Sequence, residues 1–145
     1  MAMQHTPLLM SNILDRGATI APNEEIVTMT ETGVRRQTYK QTRDRAHQLA
    51  HALAAAGIKV GDRVGTFMWN GSRHLEAYHA CAGMGAVLHT LNVRLGENDL
   101  DYIINHAEDQ VIIVDADILP LLEKMKDGMP TVRQGVGSSE EGWGR

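Results

Sequence analysis

The feature that most constrains this chain is an alternation, repeated three times between Val64 and Met125, of a short apolar run with a stretch of helical period. Val64 to Met68 precedes the turn and N-cap residues Asn70, Gly71 and Ser72 and a helix through Met84. Ala86 to Thr90 precedes a loop through Asn92, Arg94 and Gly96, then a helix over Asp99 to Ala107 with Leu100, Ile103 and Ile104 on one stripe. Val111 to Val114 precedes a turn at Asp115 to Asp117, then Ile118, Leu121, Leu122 and Met125 at helical spacing. This last run is wholly β-branched, the composition of a strand buried on both faces. Strands of that kind joined by short helices need right-handed crossovers and a parallel sheet covered by helices, so the predicted class is α/β.

Upstream, Leu8, Leu9, Met10, Ile13 and Leu14 predict a short amphipathic helix over Pro7 to Ala18, with Gly17 near its end. Glu25 to Thr30 and Arg35 to Thr38, linked through Glu31, Thr32 and Gly33, predict a small hairpin. Thr38, Tyr39, Lys40 and Gln41 spell a capping box, in which the Thr38 hydroxyl satisfies an orphan amide and Gln41 reaches back. Ala46, Leu49, Ala50, Leu53 and Ala54 then recur on one helical face, and Gly57 fits the left-handed position that closes a helix. The tail from Gln134 to Arg145 carries Gly135, Gly137, Gly142 and Gly144 and no periodic apolar face, and is expected to be disordered. The chain thus divides into a folded part, 1–133, and a glycine-rich tail, 134–145.

Composition narrows the functional classes. The 145 residues carry 18 acidic and 14 basic side chains, a net charge of −4, with only two Trp, three Tyr and one Phe. Neither a phosphate-neutralising basic face nor a base-stacking platform is offered, so no nucleic-acid partner is expected. The single cysteine, Cys81, cannot close an internal disulfide and is compatible with a reducing compartment. Val111 to Val114, the longest strongly apolar run, falls far short of the roughly 18 residues a membrane helix needs. No transmembrane segment is therefore predicted. Met1 to Gly17 shows neither a secretory nor a transit signal, which makes cytoplasmic residence the expectation.

Several residues invite a chemical role. Asp115 and Asp117 follow the third strand, where open parallel sheets place binding residues, and suit magnesium or a phosphoacceptor. Val111 to Asp117 resembles the acidic strand end of a receiver domain, although the early acidic pair of that fold is missing and acids after strands commonly form solvated turns. His47 and His51 lie one helical turn apart, and His74 and His79 are also close, but neither pair has a third ligand at metal spacing. Cys81 among small helical residues reads as a buried structural thiol. Gly135 to Ser139 has the small residues of a phosphate cradle without a following lysine or helix start. Gly83 and Gly85 read as helix-ending and close-packing residues. Asn92 with Arg94 forms a polar pair at a strand exit that a turn and a neighbouring acid would explain. No residue is assigned a catalytic, cofactor-binding or metal-binding role, and a non-enzymatic interaction or regulatory module stands as the alternative.

Taken together, Thr38 and Tyr39 at the capped helix, Leu49 through Gly57, Gly61 to Val64, Asn70, Gly85 to Val87, Leu91 and Asn92, Arg94 and Leu95, and Tyr102 to Ile104 resemble the N-terminal segment of the adenylate-forming acyl-CoA synthetases. Asn92 to Asp115 is most similar to medium- and long-chain fatty-acid CoA ligases. The resemblance covers roughly Thr6 to Arg133 and implies part of the N-terminal domain of that fold, with hairpin, capped helix and three strand-helix units building a mainly parallel sheet. It also implies, for a complete enzyme, a fatty acid, Mg-ATP and CoA as substrates. The family's Ser/Thr/Gly-rich loop ending in Pro-Lys, its Tyr-Gly-x-Thr-Glu stretch, ribose-binding aspartate and C-terminal lysine do not occur here. The departure after Arg133 reads as a truncation, a frameshifted or artefactual end, or a short isoform. A fragment of this kind is expected to bind no cofactor, to be inactive, and to self-associate through an unpaired sheet edge.

Overall fold

The computed structural model describes residues 7, 9–30, 32–139 and 142–144. Leu8 of the predicted first helix, Glu31 of the hairpin link, and Glu140, Glu141 and Arg145 of the tail lie outside them. The chain runs α1 (Met10–Ile20), β1 (Glu25–Thr30), β2 (Gly33–Thr38), α2 (Tyr39–Ala55), β3 (Arg63–Phe67), α3 (Ser72–Met84), β4 (Val87–Thr90), α4 (Glu97–Ala107), β5 (Val111–Asp115), α5 (Leu119–Met125), β6 (Gln134–Ser139) and β7 (Gly142–Gly144).

β3, β4, β5 and β6 pair in parallel in the order β4-β3-β5-β6, and β7 is added antiparallel to β6. Alternation along each strand assigns its side chains to opposite faces. Val64, Val111 and Ile113 pack with Leu49 and Leu53 of α2 and Ala77, Ala80 and Cys81 of α3. Phe67, Ile112 and Val114 pack on the other face with Leu100 and Ile104 of α4 and Leu122 and Met125 of α5. The β-branched run is thus buried on both faces, as its composition predicts.

The local signals act where the sequence places them. Thr38 Oγ1 accepts from Gln41 N at 3.2 Å and Gln41 Oε1 accepts from Thr38 N at 2.9 Å, completing the capping box of α2. Gly85 adopts φ +80° at the end of α3, and a Cβ there would meet Val60 at 3.2 Å, so both left-handed backbone and close packing favour glycine. α3 begins without a side-chain cap, at Gly71.

Two buried polar groups join distant parts of the chain. Glu76 of α3, fully buried, accepts from Gln37 Nε2 of β2 and Arg45 Nε of α2, each at 2.7 Å. Asp109, also fully buried, lies 2.7 Å from His89 Nδ1 of β4, and burial pushes its carboxyl above the usual range while His89 pulls it back.

Where the sequence predicts a disordered tail, Gln134–Ser139 forms β6 in register with Val111–Asp115 of β5. The physical reason is that a strand can be recruited by backbone hydrogen bonds to an existing edge, which leave no periodic side-chain signal. Val136 packs against the α2/α3 core, and Ser138 is buried.

Candidate functional site

The carboxyl ends of the parallel strands and the inner face of the hairpin enclose a cleft of about 660 Å³. It opens between β3 and β5, where the strand order reverses and open α/β sheets hold ligands. β3 runs out into Met68 and Trp69, and β5 into Ala116 and Asp117. Thr28 and Arg35, cross-strand neighbours in the hairpin, close the opposite side.

The two strand exits are fastened to each other. Asp115 Oδ2 accepts from the Trp69 backbone N–H at 2.8 Å, and Asp117 Oδ2 accepts from the indole Nε1–H at 2.9 Å. Ser138 of β6 accepts the Ala116 amide on its carbonyl at 3.0 Å and Arg73 Nη1 on its hydroxyl at 3.2 Å. Thr28 Oγ1 accepts from Ser72 N at 3.1 Å, and a Cβ on Gly71 would approach Thr28 Cγ2 to 3.2 Å, so the hairpin lies close against the start of α3. His74 Nε2 is 3.0 Å from Thr66 Oγ1.

Burial dominates the electrostatics here. It raises the Asp115 carboxyl above its usual range against the Trp69 amide, the Ser138 hydroxyl and Arg73, with Asp117 adding to the rise. Burial also lowers the Arg73 guanidinium, helped by Arg35 and Arg45. The His74 imidazole falls for the same first reason, opposed by Asp115 and the Trp69 backbone.

A second cleft, about 430 Å³, lies between α1, α2 and α3 and is lined by His47, His51, His79 and Asp15. The fold therefore keeps His47 with His51 but separates His74 from His79, which face different clefts. His47 Nε2 stands 3.8 Å from Asp15 Oδ1, and among the described residues no three His, Cys, Asp or Glu side chains converge to hold a metal ion. Cys81 is fully buried, its thiol pushed up to about 12 by burial, which leaves almost no thiolate for nucleophilic attack at neutral pH. Asn92 Oδ1 accepts from Arg94 N at 3.0 Å in a local turn, and neither residue lines the main cleft. The amides of Gly135 to Ser139 belong to β6 rather than to a phosphate cradle.

The strand-end rule places Asp115 and Asp117 at the cleft, as expected from sequence. Arg35, Arg73 and Ser138 carried no such signal. Arg35 and Arg73 are separated by the whole of α2 and β3, and Ser138 lies in the segment whose strand character is hidden.

Comparison with known proteins places the whole chain. The AMP-binding enzyme family matches residues 14–142. Over 140 residues the chain is 44% identical to a long-chain-fatty-acid–CoA ligase of Thermus thermophilus, covering 96% of this chain and 26% of that protein. It is 36% identical over 132 residues to a medium-chain-fatty-acid–CoA ligase of Ectopseudomonas oleovorans, covering 90% of this chain and 24% of the relative. The inhibitor-bound N-terminal domain of FACL13 from Mycobacterium tuberculosis superposes with a TM-score of 0.82 at 28% identity, over 90% of this chain and 33% of that one. The chain spans about a quarter of the length of the curated relatives it matches. These matches replace the receiver-domain resemblance of Val111 to Asp117, and the chain belongs to the AMP-binding enzyme family.

Proposed function

We propose that this chain is the N-terminal portion of a fatty-acyl-CoA ligase, with residues 1–133 forming part of its first domain. The complete protein would join a fatty-acid carboxylate to the α-phosphorus of ATP, releasing pyrophosphate. The thiol of CoA would then attack the acyl carbon and release AMP. The observation that carries this reading is the 44% identity, across 96% of the chain, to a long-chain-fatty-acid–CoA ligase. The reaction is placed in the cytoplasm in this reading; no helix among the described residues is long and apolar enough to cross a membrane.

The chain itself is a scaffold in this scheme. Its described residues supply no convergent metal-ligand group, and its glycine-rich segment from Gly135 is committed to the sheet. In this reading ATP, magnesium and CoA are assigned to parts of the longer protein, since the chain spans about a quarter of its relatives' length, and the isolated chain is expected to be inactive. Fatty-acid-dependent exchange of labelled pyrophosphate into ATP tests both statements. A protein completed with the remaining domains of the family should exchange, and the 145-residue chain should not. Exchange by the short chain, or none by the completed protein with any fatty acid, overturns the reading.

A further inference from the structure

The main cleft holds two guanidinium groups, Arg35 and Arg73, that no carboxylate among the described residues pairs with directly, although Asp115 and Glu76 attract Arg73 from nearby. Arg73 sits in the first turn of α3, the end of a helix that disfavours a cation, and no acid occupies that turn. Its Nη1 is spent on a neutral hydroxyl, Ser138 Oγ, while its Nε and Nη2 are buried without a partner. Across the cleft, Arg35 is half-buried and makes no hydrogen bond or ion pair among the described residues. Arg45, which adds to the positive field at Arg73, is engaged by Glu76. Of the two cleft carboxylates, Asp115 is engaged by the Trp69 amide and the Ser138 hydroxyl and attracts Arg73 without an ion pair, and Asp117 accepts from the Trp69 indole. Burying the Arg73 Nε and Nη2 donors without acceptors is costly, so an arrangement of this kind is expected to recruit one.

We propose that the cleft is an oxyanion site, in which Arg35 and Arg73 hold the phosphate or carboxylate group of a small ligand. The oxyanion meets Arg35 directly and takes the place of the Ser138 hydroxyl on Arg73 Nη1, exchanging a neutral acceptor for a charged one. Met68 and Trp69 line the same cleft and would cover an apolar body attached to that group. The site is built wholly from this chain and stands apart from the ligase reading.

Arg36 provides the internal control. It follows Arg35 in β2, points to the other face of the hairpin, and pairs there with Glu25 at 2.7 Å. Inorganic phosphate and acetate are titrated separately into the 145-residue chain, followed by isothermal calorimetry, with circular dichroism recorded on every sample. Saturable binding is expected for at least one probe, weaker at high salt, and the probe that binds more tightly distinguishes a phosphate from a carboxylate ligand. Arg35→Gln and Arg73→Gln should each weaken it at least about tenfold, the loss expected for one charge-assisted hydrogen bond, while Arg36→Gln leaves it unchanged. Arg35 lies outside the buried core, so its variant keeps the test decisive if Arg73→Gln unfolds. Absence of saturable binding, equal weakening by Arg36→Gln, or a wild-type chain without folded circular dichroism overturns the proposal.

Discussion

Asp109 lies two residues ahead of β5, with one carboxylate oxygen on His89 Nδ1 and the other buried without a partner. It is the point at which the edge strand β4 is tied to the centre of the sheet by side chains as well as by backbone. Arg63 continues the fastening, donating to the Ala107 carbonyl and to Glu108 Oε2 at 2.7 Å. His89→Ala would leave Asp109 with no partner in a dry site, and the expected loss is about 2–3 kcal/mol in urea unfolding. Asp109→Asn, which keeps the shape and removes the charge, should cost less than His89→Ala. An unchanged midpoint for His89→Ala would show that the pair contributes nothing. Neither Asp109 nor the Glu76 group announces itself in the sequence, because the partners lie 20 and 39 positions apart and only the folded sheet brings them together. Asp115 and Asp117 are different: their position after a β-branched strand was enough to place them at the cleft.

At the scale of elements, what was legible follows from signals that act locally. The capping box fixes the start of α2, Gly85 the end of α3, and β-branched composition the burial of β5. β6 and β7 escaped because glycine-rich strands are recognised by the edge they join rather than by their own pattern. The opposite edge is β4, whose outer side has no neighbouring strand among the described residues, and Val87 on it is 50% exposed. The outer face of the hairpin adds Val27, Met29 and Val34, each at least half exposed. An uncovered strand edge and an apolar face of this kind favour pairing with another copy. Sedimentation velocity should therefore show concentration-dependent association of the chain, and Val87→Lys should shift it toward monomer. A wild-type chain that remains monomeric at all concentrations would contradict this expectation.

At the scale of the whole molecule, buried titratable groups set how stability responds to pH. His74 and His79 are both lowered by burial, so the folded chain resists protons that the unfolded chain accepts below an imidazole pKa of about 6.5. Their contribution is complete above that value and is lost as pH falls through it. Asp109 and Asp115 are raised, so they act in the opposite sense: they favour the fold most in acid, and that support is lost as pH climbs from about 3.8 through their folded values. The urea midpoint should fall between pH 7.5 and 5.5, and replacing both His74 and His79 with Gln should flatten that slope. A midpoint that rises on acidification across this window would show that the carboxyls dominate it.

The sheet order β4-β3-β5-β6 carries a consequence for the order of events during synthesis. β3 is the first of these strands to leave the ribosome, and it ends between β4 and β5. β4 emerges next and can pair on one side of it, β5 then arrives for the other, and β6 extends the growing edge. Each new strand thus meets a partner already made, so no strand has to be inserted between two that have already joined, and vectorial growth from the oldest strand outward suits a nascent chain.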